Sequence, residues 1–160
     1  MARATFPLAT LLRLREEICR QREQGLATAV RALAHAERAL EQARRDQAGH
    51  HELLDHARGR ALESVPGAAA RLQTARRYLD RLEAELRRLS LAVEEAAHRH
   101  EARAQEVEEA RGGLAAAEAE LKVVEKNREA WDDKRHKEAL ARAEAELEDL
   151  IAARKSGQGQ

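Results

Sequence analysis

An unbroken apolar stripe runs along the second half of the chain, from Leu79 to Trp131. Alternating steps of three and four residues meet an apolar side chain at every position except His100, Arg103 and Arg128. The positions are Leu79, Leu82, Leu86, Leu89, Val93, Ala96, His100, Arg103, Val107, Ala110, Leu114, Ala117, Leu121, Val124, Arg128 and Trp131. This heptad spacing predicts a long helix packed along another helix, because a strand would show alternation of period two.

A second stripe occupies the first half of the chain, and Leu and Ala alternate along much of it. Its positions are Leu26, Ala29, Leu33, Ala36, Leu40, Ala43, Gln47, His50, Leu54, Ala57 and Ala61. Alanine at every second position lets two helix axes approach closely. Between Leu14 and Leu26 the phase shifts and charged residues enter the stripe, which predicts looser packing there.

The helix boundaries follow from residues that start or stop helices. Ser64-Val65-Pro66-Gly67 is the strong breaker between the two stripes. We therefore predict an all-α fold: an antiparallel two-helix coiled-coil hairpin whose second helix is longer than the first. Residues 1–160 form one elongated domain in this prediction, with helix 1 at about 6–64, a turn at 64–67, helix 2 at about 68–154 and a tail at 155–160.

Two adjacent glycines, Gly112 and Gly113, interrupt the second predicted helix. Together they cost about 2 kcal/mol relative to alanine, so a second chain reversal and a three-helix fold are an alternative. The stripe keeps its phase across them, from Val107 and Ala110 to Leu114. Because a turn has no reason to preserve that phase, we predict a continuous helix with a soft point.

Folding the chain at Pro66 predicts which residues oppose each other. Leu40 then lies near Val93, Leu26 near Val107 and Leu11 near Leu121. The first helix runs out when the second has reached about Asn127, so about 25 residues, roughly 40 Å of helix, project beyond it. The projection carries an apolar stripe that implies an external partner, unless residues 1–10 fold back on it or the end frays. Its members are Trp131, Leu140, Leu147, Leu150 and Ile151.

Composition and charge narrow the function. Charged residues make up 36% of the chain, with one Trp, one Tyr and one Phe, which is typical of a coiled coil. The 29 basic and 29 acidic residues balance, which argues against a nucleic-acid partner. We predict no transmembrane segment and a cytoplasmic location, unless the chain is exported without a cleaved signal. The one cysteine, Cys19, lies near the seam and is predicted to be a buried, inert thiol.

Candidate chemistry is sparse. The histidines offer one cluster near the middle of the chain and one pair on different helix faces: His50, His51 and His56 with Asp55, and His98 with His100. Zinc needs three or four convergent ligands, so we predict no metal site and interpret His50 and His100 as polar seam positions that fix the register. A two-helix coil has no concave pocket, and no phosphate-binding glycine loop is present. We therefore predict no enzyme activity and no cofactor.

Basic residues gather where the two chain ends meet in the predicted hairpin. They are Arg3, Arg13, Arg15, Arg20, Arg22, Lys122, Lys126, Arg128, Lys134, Arg135 and Lys137. Two interpretations stay open. One is an ordinary helix surface held by salt bridges, since acidic residues are interleaved. The other is docking to an acidic surface or to the mouth of a ring.

Both ends of the chain resemble one known family. Phe6-Pro7-Leu8-Ala9-Thr10-Leu11-Leu12-Arg13-Leu14-Arg15-Glu16 is similar to the N-terminal signature of the FliJ/YscO family of type III secretion stalk proteins. The C-terminal stretch resembles the end of the same family, where a Glu-Lys and Trp motif precedes an acidic run. It reads Leu121-Lys122-Val123-Val124-Glu125-Lys126-Asn127-Arg128-Glu129-Ala130-Trp131, followed after a gap by Glu144-Ala145-Glu146-Leu147-Glu148-Asp149-Leu150.

The resemblance implies a non-enzymatic stalk similar to the central stalk subunit of rotary ATPases. Its paired termini would enter the pore of the hexameric export ATPase, and its other part would face the cytoplasmic domain of the export gate. Some members also handle export chaperones, and the location implied is cytoplasmic, peripheral to the inner membrane. By position, the implied ATPase contacts are Leu11, Arg13, Arg15, Lys126, Arg128 and Trp131.

Two other functions stay open at this point. A generic coiled-coil scaffold would dimerise through the projecting stripe, whereas the stalk is expected to be a monomer, and light scattering separates the two. An exported type III effector or regulator would appear in the culture supernatant. The sequence leaves open whether the apparatus is flagellar or an injectisome.

Overall fold

Two long helices account for the fold. The structure, a computed structural model, describes residues 5–62 and 69–157. Helix α1 spans Ala9–Leu62 with 54 residues, and helix α2 spans Ala69–Gly157 with 89 residues. They pack against each other, and no strand occurs within the described residues. The predicted all-α hairpin with a longer second helix is confirmed.

Helix α1 begins after a short turn rather than near residue 6. The backbone N–H of Ala9 donates to the carbonyl of Phe6 at 3.1 Å, and that of Leu12 donates to the carbonyl of Leu8 at 2.9 Å. Pro7 lies within this turn, where its missing N–H leaves no bond unmade. Helix α2 continues to Gly157, past the predicted end at 154. The predicted turn at 64–67 and the last residues of the predicted tail lie outside the described residues.

The chain divides into two compact units, each built from a part of both helices. Unit 1 comprises Met1–Glu23 and Gly113–Gln160, and unit 2 comprises Gln24–Gly112. In unit 2 the predicted seam positions of α1 and α2 are buried or half-buried, with the exception of Arg103. Leu54 is 1% exposed and forms a buried cluster with Ala57 and Leu82. Removing this apolar surface from water stabilises the pairing of the two helices.

Polar side chains at the seam of unit 2 find partners across the two helices. The Gln47 side-chain amide donates to Ser90 Oγ at 2.9 Å, and that hydroxyl donates to the carbonyl of Leu86 at 2.9 Å. His50 Nε2 lies 3.0 Å from the carbonyl oxygen of Leu82. Since a shifted register would leave these half-buried groups without partners, they fix the alignment of the helices. The prediction that His50 is a polar seam position is confirmed.

Unit 1 pairs the beginning of α1 with α2 from Gly113 onward. Its buried side chains come from both helices: Leu12, Cys19, Ala117 and Val124. Arg15 forms an ion pair with Glu120, and the guanidinium of Arg22 lies over Gly113, 3.6 Å from where a Cβ would stand. These two contacts run in opposite directions along the helices, as antiparallel packing requires. The prediction that Cys19 is buried is confirmed.

Helix α2 is continuous through Gly112 and Gly113, as the phase of its stripe predicted. A side chain at Gly112 would meet no atom within 4 Å, so packing does not require glycine there.

None of the described helices has an apolar stretch of the length and composition needed to cross a membrane.

Replacing Gly112 with alanine should stabilise the chain by about 1 kcal/mol, because alanine loses less backbone entropy in a helix. Urea unfolding followed by circular dichroism measures this change. The matched control is Ala115→Gly, at an exposed position of the same helix, which should destabilise by a similar amount. A loss of stability in Gly112→Ala would show that the glycine has a structural role that the continuous helix does not explain.

Candidate partner-binding surface

The end of unit 1 at which α1 begins, which we call the open end, comprises residues 5–16 and 124–135. A groove of about 300 Å³ lies there, lined by Thr5, Phe6, Ala9, Leu12, Arg13, Glu16 and Arg128. Arg13 and Arg128, one from each helix, are exposed. The groove therefore combines apolar side chains with two guanidinium groups and the carboxylate of Glu16. Such a surface suits a partner segment that presents a carboxylate next to an apolar side chain.

An aromatic pair joins the two helices at the open end. The rings of Phe6 and Trp131 meet edge to face, with centroids 5.8 Å apart and planes at 60°. This is the preferred geometry of an aromatic pair. The Arg135 guanidinium lies 5.6 Å from the centroid of the Trp131 ring, within the range of a cation–π interaction. The pair holds the start of α1 against α2 and orients a basic side chain beside it.

The structure brings some of the predicted contact residues together and separates others. Arg13 and Arg128 line the same groove, while Trp131 lies beside it in the aromatic pair. Leu11 is half-buried, and Lys126 is exposed. Arg15 is in the ion pair with Glu120 and so holds the two helices of unit 1 together. The assignment of these six residues to an ATPase contact stays a prediction.

Sequence reasoning missed Phe6 as a member of this surface, and it placed Arg135 at this end without its contact with Trp131. A signal for Phe6 was available, because the chain has one Phe and one Trp, and the antiparallel pairing brings both to the open end. Arg135 follows Trp131 by four residues, the spacing at which side chains on a helix meet. Arg128 Nε also lies 3.8 Å from Asp132 Oδ2 at the same spacing. An exposed pair of this kind contributes little to stability.

The buried thiol of Cys19 lies in the core of unit 1. Burial raises the pKa of Cys19 above its ordinary value, and the nearby carboxylates of Glu118, Glu23 and Glu125 raise it further, while Arg15 acts in the opposite direction. The thiol therefore stays protonated at neutral pH and is a poor nucleophile. This agrees with its interpretation as an apolar core residue.

Beyond the open end, α2 carries its apolar stripe at exposed positions. Leu140 and Leu147 are 50% and 59% exposed, and Leu150 and Ile151 are 66% and 55% exposed. Every described residue from Asp132 to Lys155 except Glu138 is exposed. The described residues 5–10 therefore leave these four members of the stripe uncovered, while Phe6 covers Trp131, the first member. Within the described part of the chain, no group of three or more His, Cys, Asp or Glu could hold a metal ion.

The two helices define the class of helical-hairpin proteins. A family model described as YscO-like protein matches residues 3–153. The chain therefore belongs to the YscO-like family, a family of structural proteins associated with type III secretion. The resemblance drawn from the two ends of the sequence is confirmed. A search of the curated proteins and a search of the solved structures give no match.

The aromatic pair can be tested through the single tryptophan. Phe6→Ala should shift the Trp131 emission to the red and increase its quenching by acrylamide, because the ring loses its edge-to-face partner. Stability should fall by about 1 kcal/mol. Leu8→Ala is the control, since Leu8 is a neighbouring apolar residue that is 39% exposed. Unchanged emission and quenching in Phe6→Ala would mean that the two rings are not in contact in solution.

Cys19 should make stability depend on pH in the alkaline range. The folded pKa is raised, so the unfolded thiol ionises first, from about pH 8.5 upward, and the stability that the protonated thiol contributes is lost as pH rises. Urea unfolding of the wild type and Cys19→Ala at pH 7 and pH 9.5 isolates this effect. The wild type should lose more stability than the variant between the two values. An equal loss in both proteins would exclude the raised pKa.

Proposed function

We propose that this chain is a stalk protein of a type III secretion apparatus, flagellar or injectisome. In this role it binds the hexameric export ATPase, links it to the cytoplasmic domain of the export gate, and promotes ATPase assembly, ATPase activity and protein export. The observation that carries the proposal is membership of the YscO-like family over residues 3–153. The exposed basic groove at the open end supports the choice of the contact surface.

The contact with the ATPase is assigned to the open end. Arg13 and Arg128 would pair with carboxylates of the ATPase, and the apolar side chains between them would take an adjacent apolar group. Lys126 and Leu11 would extend this contact along α2 and α1. Trp131 would present the part of its ring that Phe6 leaves uncovered, since it is only half-buried. Arg15 would act by holding α1 on α2 through Glu120.

The proposed mechanism is mechanical and electrostatic. One chain has no sixfold symmetry, so inside a hexameric ring it contacts the six ATPase subunits unequally. A subunit state that makes the better contact gains population, because a ligand shifts an equilibrium by its differential affinity for the two states. Binding that bridges several subunits also favours the assembled ring over free subunits. Both effects raise ATP turnover without a catalytic group from this chain.

The other assignments follow from the same proposal. Unit 2 would face the cytoplasmic domain of the export gate, and export chaperones are further candidate partners. The protein would work in the cytoplasm, peripheral to the inner membrane at the secretion apparatus, as a single copy in each ATPase ring. No nucleic acid takes part, in keeping with 29 basic and 29 acidic residues.

The direct experiment mixes the purified chain with its cognate export ATPase. We expect ATP turnover and the hexamer fraction to rise with added chain. The double variant Arg13→Glu/Arg128→Glu should raise the concentration needed for half-maximal stimulation at least about tenfold, because each lost ion pair costs about 1.5–3 kcal/mol when desolvated.

The matched control reverses two arginines of unit 2, Arg44→Glu/Arg87→Glu, which are exposed and lie outside the groove. This variant should stimulate the ATPase as the wild type does. If the wild-type chain changes neither turnover nor assembly, the proposed role is wrong. If both double variants lose stimulation equally, the open end is not the contact surface.

A further inference from the structure

The exposed stripe of α2 does not continue the seam that packs α1 against α2. The heptad positions that follow Trp131 in phase are Arg135, Glu138, Arg142, Ala145, Asp149 and Ala152, and most of them are charged. At 3.6 residues per turn, Leu140, Leu147 and Ile151 lie between about 140° and 180° around the helix from the buried Val124, and Leu150 lies about 80° from it. A new stripe therefore begins on a different face of α2 from the one that packs against α1.

The new stripe has its own heptad spacing, suited to one more helix. Steps of four and three residues connect His136, Leu140, Ala143, Leu147, Leu150 and Arg154. Three leucines and one alanine in the middle of this run, with polar residues at both ends, form a short and self-limited contact surface. These residues are exposed, so folding of the chain itself does not account for their apolar character.

The charged residues along this stretch of α2 fall into two opposite blocks, and of their members Lys137, Glu144 and Glu146 lie next to the stripe. The first block, residues 134–142, contains four basic residues, Lys134, Arg135, Lys137 and Arg142, and one acidic residue, Glu138. The second block, residues 144–149, contains four acidic residues, Glu144, Glu146, Glu148 and Asp149, and no basic residue. The boundary between the blocks is Ala143, in the middle of the stripe.

We propose that a second copy of this chain covers the stripe, with the two α2 segments antiparallel and a twofold axis near Ala143. In this arrangement the basic block of each copy faces the acidic block of the other, and the leucines of both copies share one seam. A parallel pair would place each block against its like and would be repelled. Each copy thus contributes the same surface to the contact, with one basic and one acidic block. Such a contact is isologous.

The proposed contact between the two copies is small, so we expect it to be weak. Residues 134–155 span about 33 Å of helix, and two single helices in contact over that length bury less than the roughly 800 Å² per partner of a standard interface. The free chain should therefore be in exchange between monomer and dimer. This proposal goes beyond the stalk function and does not depend on it, since a weak dimer dissociates to deliver one copy to a partner. At concentrations below the dissociation constant the chain is a monomer, as the stalk requires, whereas a scaffold that works as a dimer stays dimeric there.

Sedimentation equilibrium of the chain alone, over a wide range of concentrations, tests the proposal. The average mass should rise from monomer to dimer and no further, and added salt should raise the dissociation constant. Leu147→Glu should raise that constant at least about tenfold, while helix content stays unchanged. Leu91→Glu is the control, because Leu91 is 60% exposed, like Leu147, but lies in unit 2. A chain that stays monomeric, or that assembles beyond the dimer, overturns the proposal.

Charge reversal tests whether the partner is a second copy and whether the basic block of one copy lies alongside the acidic block of the other. Lys134→Glu/Lys137→Glu/Arg142→Glu makes both blocks acidic, and Glu144→Lys/Glu146→Lys/Glu148→Lys makes both basic. Each variant alone should dimerise at least about tenfold more weakly than the wild type, whereas an equimolar mixture should recover the wild-type affinity as a heterodimer. No recovery in the mixture would show that the charge blocks do not face each other.

Cysteine crosslinking tests the orientation. In a Cys19→Ala background, Ala143→Cys lies near the twofold axis and should form a disulfide-linked dimer under mild oxidation. Leu150→Cys is the control, because antiparallel packing separates the two copies of residue 150, while parallel packing would bring them together. Crosslinking at residue 150 and not at 143 overturns the antiparallel arrangement. If backbone amides of residues 140–151 gain protection from hydrogen exchange only when export ATPase is added, the occupant is the ATPase and self-pairing is wrong.

Discussion

The narrow apolar seam between α1 and α2 is the interaction on which the rest of the structure depends. Two paired helices have one shared interface and no second layer, so each helix can bury only one stripe of side chains. Leu54, Leu82 and Val107 are nearly inaccessible, whereas residues half a turn away on the same helices are exposed. Function in such a chain therefore belongs to its exposed surface and its helix ends, where side chains are available to other molecules.

A seam of leucine and alanine binds strongly but specifies alignment poorly, because many registers bury similar apolar surface. In unit 2 the polar contacts supply the missing specificity. Gln47 with Ser90, and His50 with the carbonyl of Leu82, are satisfied in one register. In unit 1 the ion pair of Arg15 with Glu120 and the contact between the rings of Phe6 and Trp131 favour one register in the same way. Each unit thus combines apolar area for stability with a few polar or aromatic contacts for register.

Most of the fold could be predicted from the sequence, because a heptad stripe encodes both the helix and the face that it buries. The uninterrupted phase from Val107 to Leu114 was sufficient to predict that α2 continues through Gly112 and Gly113. The first residue of α1 could not be predicted as closely. It depends on a turn that is closed by the hydrogen bond from the Ala9 N–H to the carbonyl of Phe6. To predict the groove of Arg13 and Arg128, the register between the two helices must be known to one residue. A heptad stripe defines that register only to about one helical turn. The proposal of an ATPase partner for that groove rests on the family and the surface chemistry, not on the stripe.

Trp131 marks the point at which α2 changes its role. Up to this residue the apolar positions of α2 follow the phase that faces α1, and Trp131 itself closes the seam against Phe6. After it, most positions in that phase are charged, and the leucines move to a different face. If the exposed stripe were a leftover of the internal seam, it would keep the old phase and lose its leucines gradually. The new phase, with its own heptad spacing and its own charge blocks, supports the proposal that one continuous helix holds its own chain together in its first part and binds another molecule with its last.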